Sequence, residues 1–324
     1  MIIPKSVYEW KVSDDFDGSR VDYWFKKQFT NLTYPYICKL IRKGIIRVNG
    51  KRTRNHIVLN SGDLIKLSRK LDLAQEPKNS IKYEKFGFIV RSWILHKDEN
   101  IIVINKPAGI AVQGGTKIKF NVDAVLDSLK FKNELRPKLV HRLDKKTSGV
   151  MLIARDLNSA KFLGKIFKER LIQKEYLAII HGCPRVKLGK IEIPIIFGEK
   201  KLESTTYYKI LGTQKNTSLA IIKPITGRKH QIRKHLNLIG HPVLGETRFC
   251  KKESLNHNES INLFLHAYEI SYKDESKKNL KFNAPLPDYF KKKLREKNIK
   301  LNLLDREYDF QDLDEFRLIK PIDV

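Results

Sequence analysis

The apolar residues of this chain fall into short runs, and that spacing limits what it can become. Runs at residues 100–105, 149–155, 175–181, 204–209, 218–224 and 263–272 have strand length, and a clear helical period intervenes only between the second and the third. That helix is predicted over residues 158–171, with Phe162, Leu163, Ile166, Phe167 and Leu171 on one face and Asp156 or Asn158 as its cap. Parallel neighbours need a crossover, usually a helix, between them. With so few helices the expected class is α+β, built on a large, mainly antiparallel mixed sheet. No apolar run reaches the length of a membrane span, and residues 1–10 hold no export-type core, so a soluble cytoplasmic protein is expected. The 324 residues suffice for two or three domains without disulfide staples. Cys38, Cys183 and Cys250 are too scattered for a disulfide framework or a zinc knuckle and fit a reducing compartment.

Residues 14–72 read as a separate basic module. Val21, Trp24, Phe25 and Phe29 recur at helical spacing, as do Tyr36, Ile37, Leu40 and Ile41, and Gly44 ends the second helix. Asn49-Gly50, both tolerant of positive φ, predicts a type I′ hairpin turn, and Ser61-Gly62-Asp63 a second turn. Residues 1–72 carry 15 basic and 7 acidic side chains. Lys39, Arg42, Lys43, Arg47 and Lys51 gather on the second helix and hairpin, and Arg20 leads the first helix. The whole chain has a formal charge of +28, with 31% charged residues against roughly 25% in an average domain, so a polyanion is the expected partner. Residues 73–92 read as a linker, 93–290 as the large domain and 291–324 as a C-terminal extension. From residue 301 onward the charge reverses, with seven acidic residues against three basic. Either this end folds back over a basic surface through Leu303, Phe310, Leu313 and Phe316, or it is a disordered terminus.

The densest polar string is His141-Arg142-Leu143-Asp144-Lys145-Lys146-Thr147-Ser148-Gly149. A lone carboxylate among three cations is expected to stay ionised. On composition alone the string is a turn whose Asp, Thr and Ser satisfy local backbone groups. Other signals exclude chemistries. Gly109 to Lys117 lacks the lysine placement of a phosphate loop, and no Gly-x-Ser-x-Gly elbow is present. His230 and His235 are five apart, hence on different faces of a helix, and no metal site is expected.

The order of the residues carries more than their composition. His141-Arg142-Leu143-Asp144 followed two residues later by Thr147-Ser148-Gly149 resembles the active-site motif of the RluA-type pseudouridine synthases. Lys106-Pro107-Ala108-Gly109, Lys174-Glu175-Tyr176-Leu177-Ala178 and Gly227-Arg228-Lys229-His230-Gln231-Ile232-Arg233 resemble further motifs of that family. The N-terminal module is similar to the S4 (α-L) RNA-binding domain through Arg20-Val21-Asp22, Leu40 to Gly44, Val48-Asn49-Gly50-Lys51 and Gly62-Asp63. The stretches Ala111 to Gly115 and Asn262 to His266 look most like the RluC-type branch, which modifies large-subunit ribosomal RNA. Two positions depart from the common pattern: Lys229 stands where the family usually has Thr, and Glu246 where it usually has Asp.

The resemblance implies an isomerase that turns uridine into pseudouridine without metal or cofactor. Asp144 would be the catalytic carboxylate, either as nucleophile or as the group that removes the 2′ proton. Tyr176 would stack on the uracil and assist deprotonation at C5, and Arg233 would pair with Asp144 and hold it charged. The target nucleotide must leave the stack, with Arg142 as the wedge that fills its place and His141 beside it. Arg228 and His230 would contact RNA, as would Arg20, Lys39, Arg42, Lys43, Arg47, Asn49 and Lys51 of the N-terminal module. The implied partner is large-subunit ribosomal RNA, and the protein is expected to act as a monomer, away from membranes. Two other classes remain: a non-catalytic ribosome-assembly factor that only binds RNA, which has no need of a carboxylate at residue 144, and a hydrolase of the glycosidic bond. The hydrolase would want a second carboxylate, for which Glu175 and Glu246 are on offer without a supporting motif.

Overall fold

The computed structural model describes residues 8–29, 32–68, 87–114, 120–130, 135–250, 262–301, 310 and 313–321. Residues 69–86, which include most of the expected linker at 73–92, lie outside them, as does Leu303. The chain divides into two compact units, one comprising Met1–Phe88 and Asp127–Pro137, the other Ile89–Leu126 and Lys138–Val324.

In the first unit, helices α1 (Val21–Gln28) and α2 (Tyr34–Arg42) accompany a four-stranded sheet. Its strands are β1 (Glu9–Lys11), β2 (Ile46–Val48), β3 (Lys51–Arg52) and β4 (Leu64–Leu67), in the order β1-β4-β2-β3. The helical apolar residues read from the sequence are the core: Trp24, Phe25, Phe29, Ile37, Leu40 and Ile41 are all buried with Ile46 and Ile65. Trp10 of β1 joins them, its ring edge-on to Phe29 at 5.1 Å, so the unit begins before the expected boundary at residue 14. Asn49 (φ 49°) and Gly50 (φ 78°) form the β2–β3 turn in the left-handed conformations that its residues favour. The segment Asp127–Pro137, far downstream, belongs to this unit. Lys130 Nζ donates to both carboxylate oxygens of Asp15 at 3.0 Å, the Arg136 backbone N–H donates to the same carboxylate, and Arg136 Nη1 donates to the Tyr23 hydroxyl at 3.1 Å.

The second unit is organised on an eleven-stranded sheet. In chain order its strands are β5 (Ile94–Lys97), β6 (Ile101–Lys106), β7 (Lys138–Leu139), β8 (Ser148–Ala154), β9 (Gln173–His181) and β10 (Leu188–Ile191), then β13 (Thr206–Gln214), β14 (Thr217–Pro224), β15 (Leu265–Lys273), β16 (Asn279–Asn283) and β17 (Arg317–Ile319). Between β10 and β13 a separate hairpin forms from β11 (Ile195–Phe197) and β12 (Lys200–Leu202). The main path runs β17-β10-β13-β14-β9-β15-β8-β6-β5, with β16 on β15 and β7 on β8. Among the described residues only the β15–β8 and β10–β17 strand pairings are parallel, so the sheet is mixed and mainly antiparallel.

Alternation along the central strands divides the core between two faces. Leu177, Ile179, Leu219 and Ile221 point to one, where helix α5 (Asp288–Glu296) adds Phe290 and Leu294. Ala178, Ile180, Ala220 and Ile222 point to the other, where helix α4 (Gln231–Leu238) adds Ile232 and Leu236. The remaining helix, α3 (Leu157–Lys168), is capped by Asp156, whose side chain accepts from the Ser159 N–H at 2.8 Å. The C-terminal residues return to the first face. Phe310 is buried there, Phe316 meets Tyr207 edge-on at 5.3 Å, and β17 closes the sheet edge on β10.

Candidate active site

Asp144 lies in the loop between β7 and β8, and that loop is fastened on both sides. The Leu152 N–H donates to His141 Nε2 at 2.8 Å, and the His141 ring stacks on Phe167 at 4.6 Å, tying the loop to β8 and α3. Lys145 O accepts from the Gly109 N–H at 2.8 Å, which draws in the turn after β6. Where the loop enters β8, Gly149 (φ 116°) lies opposite Ala267 of β15; a Cβ there would lie 2.1 Å from the Ala267 carbonyl oxygen, so only glycine lets the two strands approach. Ala267 is in turn opposite Tyr176 of β9, so Tyr176, Ala267 and Gly149 line up across three strands.

Helix α4 brings the other groups. His230, in left-handed conformation (φ 57°), precedes it, and the hydrogen bond between its Nδ1 and Asp144 Oδ2 measures 2.6 Å. The bend is held by Gln231, whose Oε1 accepts from Thr226 Oγ1 (2.7 Å) and the Arg228 N–H (3.0 Å) and whose Nε2 donates to Thr205 O and Thr206 Oγ1. One turn along, Arg233 grips Glu246 with two nitrogens, Nε to Oε2 at 2.5 Å and Nη2 to Oε1 at 2.8 Å. Its third nitrogen, Nη1, is 3.8 Å from Asp144 Oδ2. The pairing expected between Arg233 and Asp144 is therefore a looser ion pair, and His230 makes the direct hydrogen bond. Glu246, which the sequence reading left without a partner, orients the guanidinium.

Burial by itself pushes the Asp144 carboxyl upward, but the His230 hydrogen bond and the charges of His230, Arg233 and Arg142 outweigh it and hold the group below its ordinary value. Burial, reinforced by the Asp144 charge, pushes the Tyr176 phenol well above its ordinary value, so it keeps its proton at neutral pH. Lys106 is fully buried, and Nζ donates to Pro107 O (2.8 Å) and Ile110 O (2.9 Å). Burial lowers it to about 7, against an opposing pull from Asp144. Its sequence signal was a lysine directly after an apolar strand, which on a sheet this deeply covered has nowhere to reach solvent.

A half-buried, hydrogen-bonded carboxylate kept anionic beside a protonated phenol suits attack on, or proton removal from, a sugar carbon. The sequence profile of the family described as RNA pseudouridylate synthase matches residues 100–238. Ribosomal large subunit pseudouridine synthase C of Rickettsia conorii is 36% identical, the match covering 86% of this chain and 97% of that protein. The chain belongs to the RNA pseudouridylate synthase family. The protein of the same description from Buchnera aphidicola subsp. Schizaphis graminum is 32% identical, covering 86% of this chain and 94% of that one. Among solved structures, human RNA pseudouridylate synthase domain containing 4 is similar with a TM-score of 0.60 at 25% identity, covering 68% of this chain and 98% of that one. As an RNA pseudouridylate synthase the chain is an isomerase acting on RNA.

Within this synthase, Asp144, Tyr176, Arg233, His230 and Arg142 come together in the second unit. Arg142 is exposed beside the carboxylate. Burial lowers His141 to about 3, and its Nε2 accepts from the Leu152 N–H, so it anchors the loop. His230 turns its Nδ1 to Asp144. In the first unit two of the expected RNA contacts also bond within the fold. Arg20 is paired with the buried Asp22, and Asn49 donates to Asp63 Oδ1 while accepting from the Leu64 N–H, both at 2.8 Å. Lys39, Arg42, Lys43 and Lys51 are exposed and make no ion pair with a described residue, and Arg47 is exposed with long contacts to Gly44 O and Gly50 O. Arg228 is half-buried and donates through Nε to Glu203 O at 3.1 Å. Among the described residues no group of three His, Cys, Asp or Glu side chains is arranged to hold a metal ion, and no helix is long and apolar enough to cross a membrane.

Proposed function

We propose that this enzyme converts uridines of large-subunit ribosomal RNA to pseudouridine, with Asp144 acting at C1′ or C2′ of a nucleotide drawn out of the RNA. One observation carries the reading: Asp144 is a 17% exposed carboxylate, kept anionic by a 2.6 Å bond to His230 and by neighbouring cations. The reaction breaks the bond from C1′ to N1, turns the base, joins C1′ to C5 and releases the C5 proton while N1 takes one up, so atoms and electrons balance within the nucleotide. Pre-fastening of the loop by His141, Gly109 and Gly149 keeps the carboxylate in register while the base rotates. Tyr176, protonated, serves as a stacking surface and hydrogen-bond donor rather than as a phenolate base. Arg142 takes the place of the extruded nucleotide.

Relatives named for the large ribosomal subunit, at 31–36% identity over most of the chain, support the choice of substrate. The first unit acts as an S4-like module whose exposed Lys39, Arg42, Lys43 and Lys51 hold phosphates and so position the RNA. Such a protein works as a monomer in the cytoplasm, where the ribosome is made. Incubating the full chain with an unmodified transcript of large-subunit ribosomal RNA, then mapping pseudouridine by mass spectrometry, tests the reading. New pseudouridine at one or a few positions supports it; a transcript left unchanged, with a small-subunit or transfer RNA modified instead, refutes the substrate.

A further inference from the structure

Beside the site, between α4, the β11–β12 hairpin and the segment after Glu246, lies a recess of about 140 Å³. Its polar wall is made by Arg228, Lys229, Lys234 and Arg248, and no carboxylate lines it among the described residues. These cations crowd one ring: the Lys234 ammonium lies 5.7 Å and the Arg248 guanidinium 5.6 Å from the centroid of Phe249. Glu246, the nearby carboxylate, is engaged by Arg233. Like charges gathered with no counter-ion among the described lining residues raise one another's energy, and an anion relieves them. The wall is also braced, since Lys234 Nζ reaches Ile196 O at 3.5 Å and Arg228 Nε donates to Glu203 O, both fixing the chain around the hairpin.

The volume decides what kind of anion fits. Sites for whole small molecules begin near ~300 Å³, so this recess takes a fragment whose remainder lies outside it. Phe197 lines the recess yet is 61% exposed, which leaves ring surface free beside the cations. A phosphate with a planar base next to it meets both features. His230 is the partition: its Nδ1 faces Asp144, while its Nε2 is 3.3 Å from Arg248 on the recess side.

We propose that this recess is a phosphodiester subsite, holding the phosphate of the RNA nucleotide next to the flipped uridine, with the base of that nucleotide stacked on Phe197. The inference rests on the function proposed above and adds to it a second point of grip on the substrate strand, set by the β11–β12 hairpin. Such a grip would fix which side of the target the strand must extend from.

The test uses the full chain carrying Asp144→Asn, so that binding is read without turnover, and the unmodified large-subunit transcript as probe. Adding Lys229→Gln and Lys234→Gln is expected to raise Kd at least about 5-fold and to make the slope of log affinity against log salt shallower by about 0.7, the value for one single-strand phosphate. Adding Phe197→Ala instead should raise Kd about 5- to 150-fold, the range of one base–aromatic stack, with the slope unchanged. The pair Lys277→Gln and Lys278→Gln removes equal charge at the exposed β15–β16 turn and should leave the slope as it was. Unaltered Kd and slope in the Lys229/Lys234 variant, or an equal change in the Lys277/Lys278 variant, overturns the subsite. An unaltered Kd for Phe197→Ala overturns its base-stacking half. Wild-type protein that forms no pseudouridine in the same transcript would instead defeat the parent reading, so the two failures are distinct.

Discussion

Replacing Glu246 by Gln removes one charge from a pair that has almost no access to water. The side chains of Arg233 and Glu246 are 6% and 0% exposed, and two bonds of 2.5 and 2.8 Å join them. An exposed pair of this kind is worth about 0–1 kcal/mol, but taking one partner from a buried pair costs about 3–5 kcal/mol because the other charge is left uncompensated. Gln keeps one acceptor oxygen, which places Glu246→Gln at the lower end, about 3 kcal/mol. With a urea slope of about 3 kcal/mol/M the midpoint of the second unit falls by about 1 M. Hydrogen-exchange mass spectrometry across a urea series, read on peptides from α4 and β14, follows that unit apart from the first. The double variant Arg233→Met with Glu246→Leu removes both charges and should be less destabilised than either single change. A Glu246→Gln midpoint within about 0.3 M of the parent, or a double variant as unstable as the two singles combined, would refute the view that Glu246 compensates a buried guanidinium. The same variant should also lower kcat, because the freed Arg233 can move the 3.8 Å to Asp144 and alter its reach.

Asp144→Asn should abolish pseudouridine formation while changing RNA affinity only a few fold, as measured by single-turnover assays beside filter binding. Lowering the pH from 7.5 to 5 should destabilise the second unit by about 4 kcal/mol through His141 and His266, which burial lowers to about 3 and about 4. Both stay neutral when folded but gain a proton near 6.5 when unfolded, so stability is complete above that value and each has lost about 2 kcal/mol at pH 5. A urea midpoint independent of pH over this range would contradict it. Asp144, held below its ordinary value, acts in the same direction but only as pH falls through and below the usual carboxylate range. Lys39→Gln, Arg42→Gln and Lys43→Gln together should make the salt dependence of RNA binding shallower by up to about 0.9 per duplex phosphate lost, with the rate of the bound complex unaffected.

The central strands were legible because each is a compact apolar run: the runs at 149–155 and 218–224 became β8 and β14 within a residue or two. Strands without such a run escaped. β10 is Leu-Gly-Lys-Ile and β17 only Arg-Leu-Ile, and both exist because an edge was open to receive them. Helix α5 was hidden by its lysines, although Phe290 and Leu294 alone supply its buried face. At the site, the residue types came from motif order, but the wiring did not. Whether Arg233 turns to Asp144 or Glu246 depends on the bend at His230, which a network of Thr and Gln side chains from β13 and the β14–α4 turn imposes. Similarly, the backbone bonds of His141 and Asn49 are invisible in a linear reading.

The segment Asp127–Pro137 carries a consequence for biosynthesis. Lys130 and Arg136, which bond Asp15 and Tyr23, are added only when somewhat less than half of the chain has been made. These contacts therefore form only after β5 and β6 of the next unit have been made. A truncation ending at residue 72 releases a fragment that lacks this late-arriving piece, and grafting the first unit onto another protein calls for two strands of connecting chain at its downstream side rather than one.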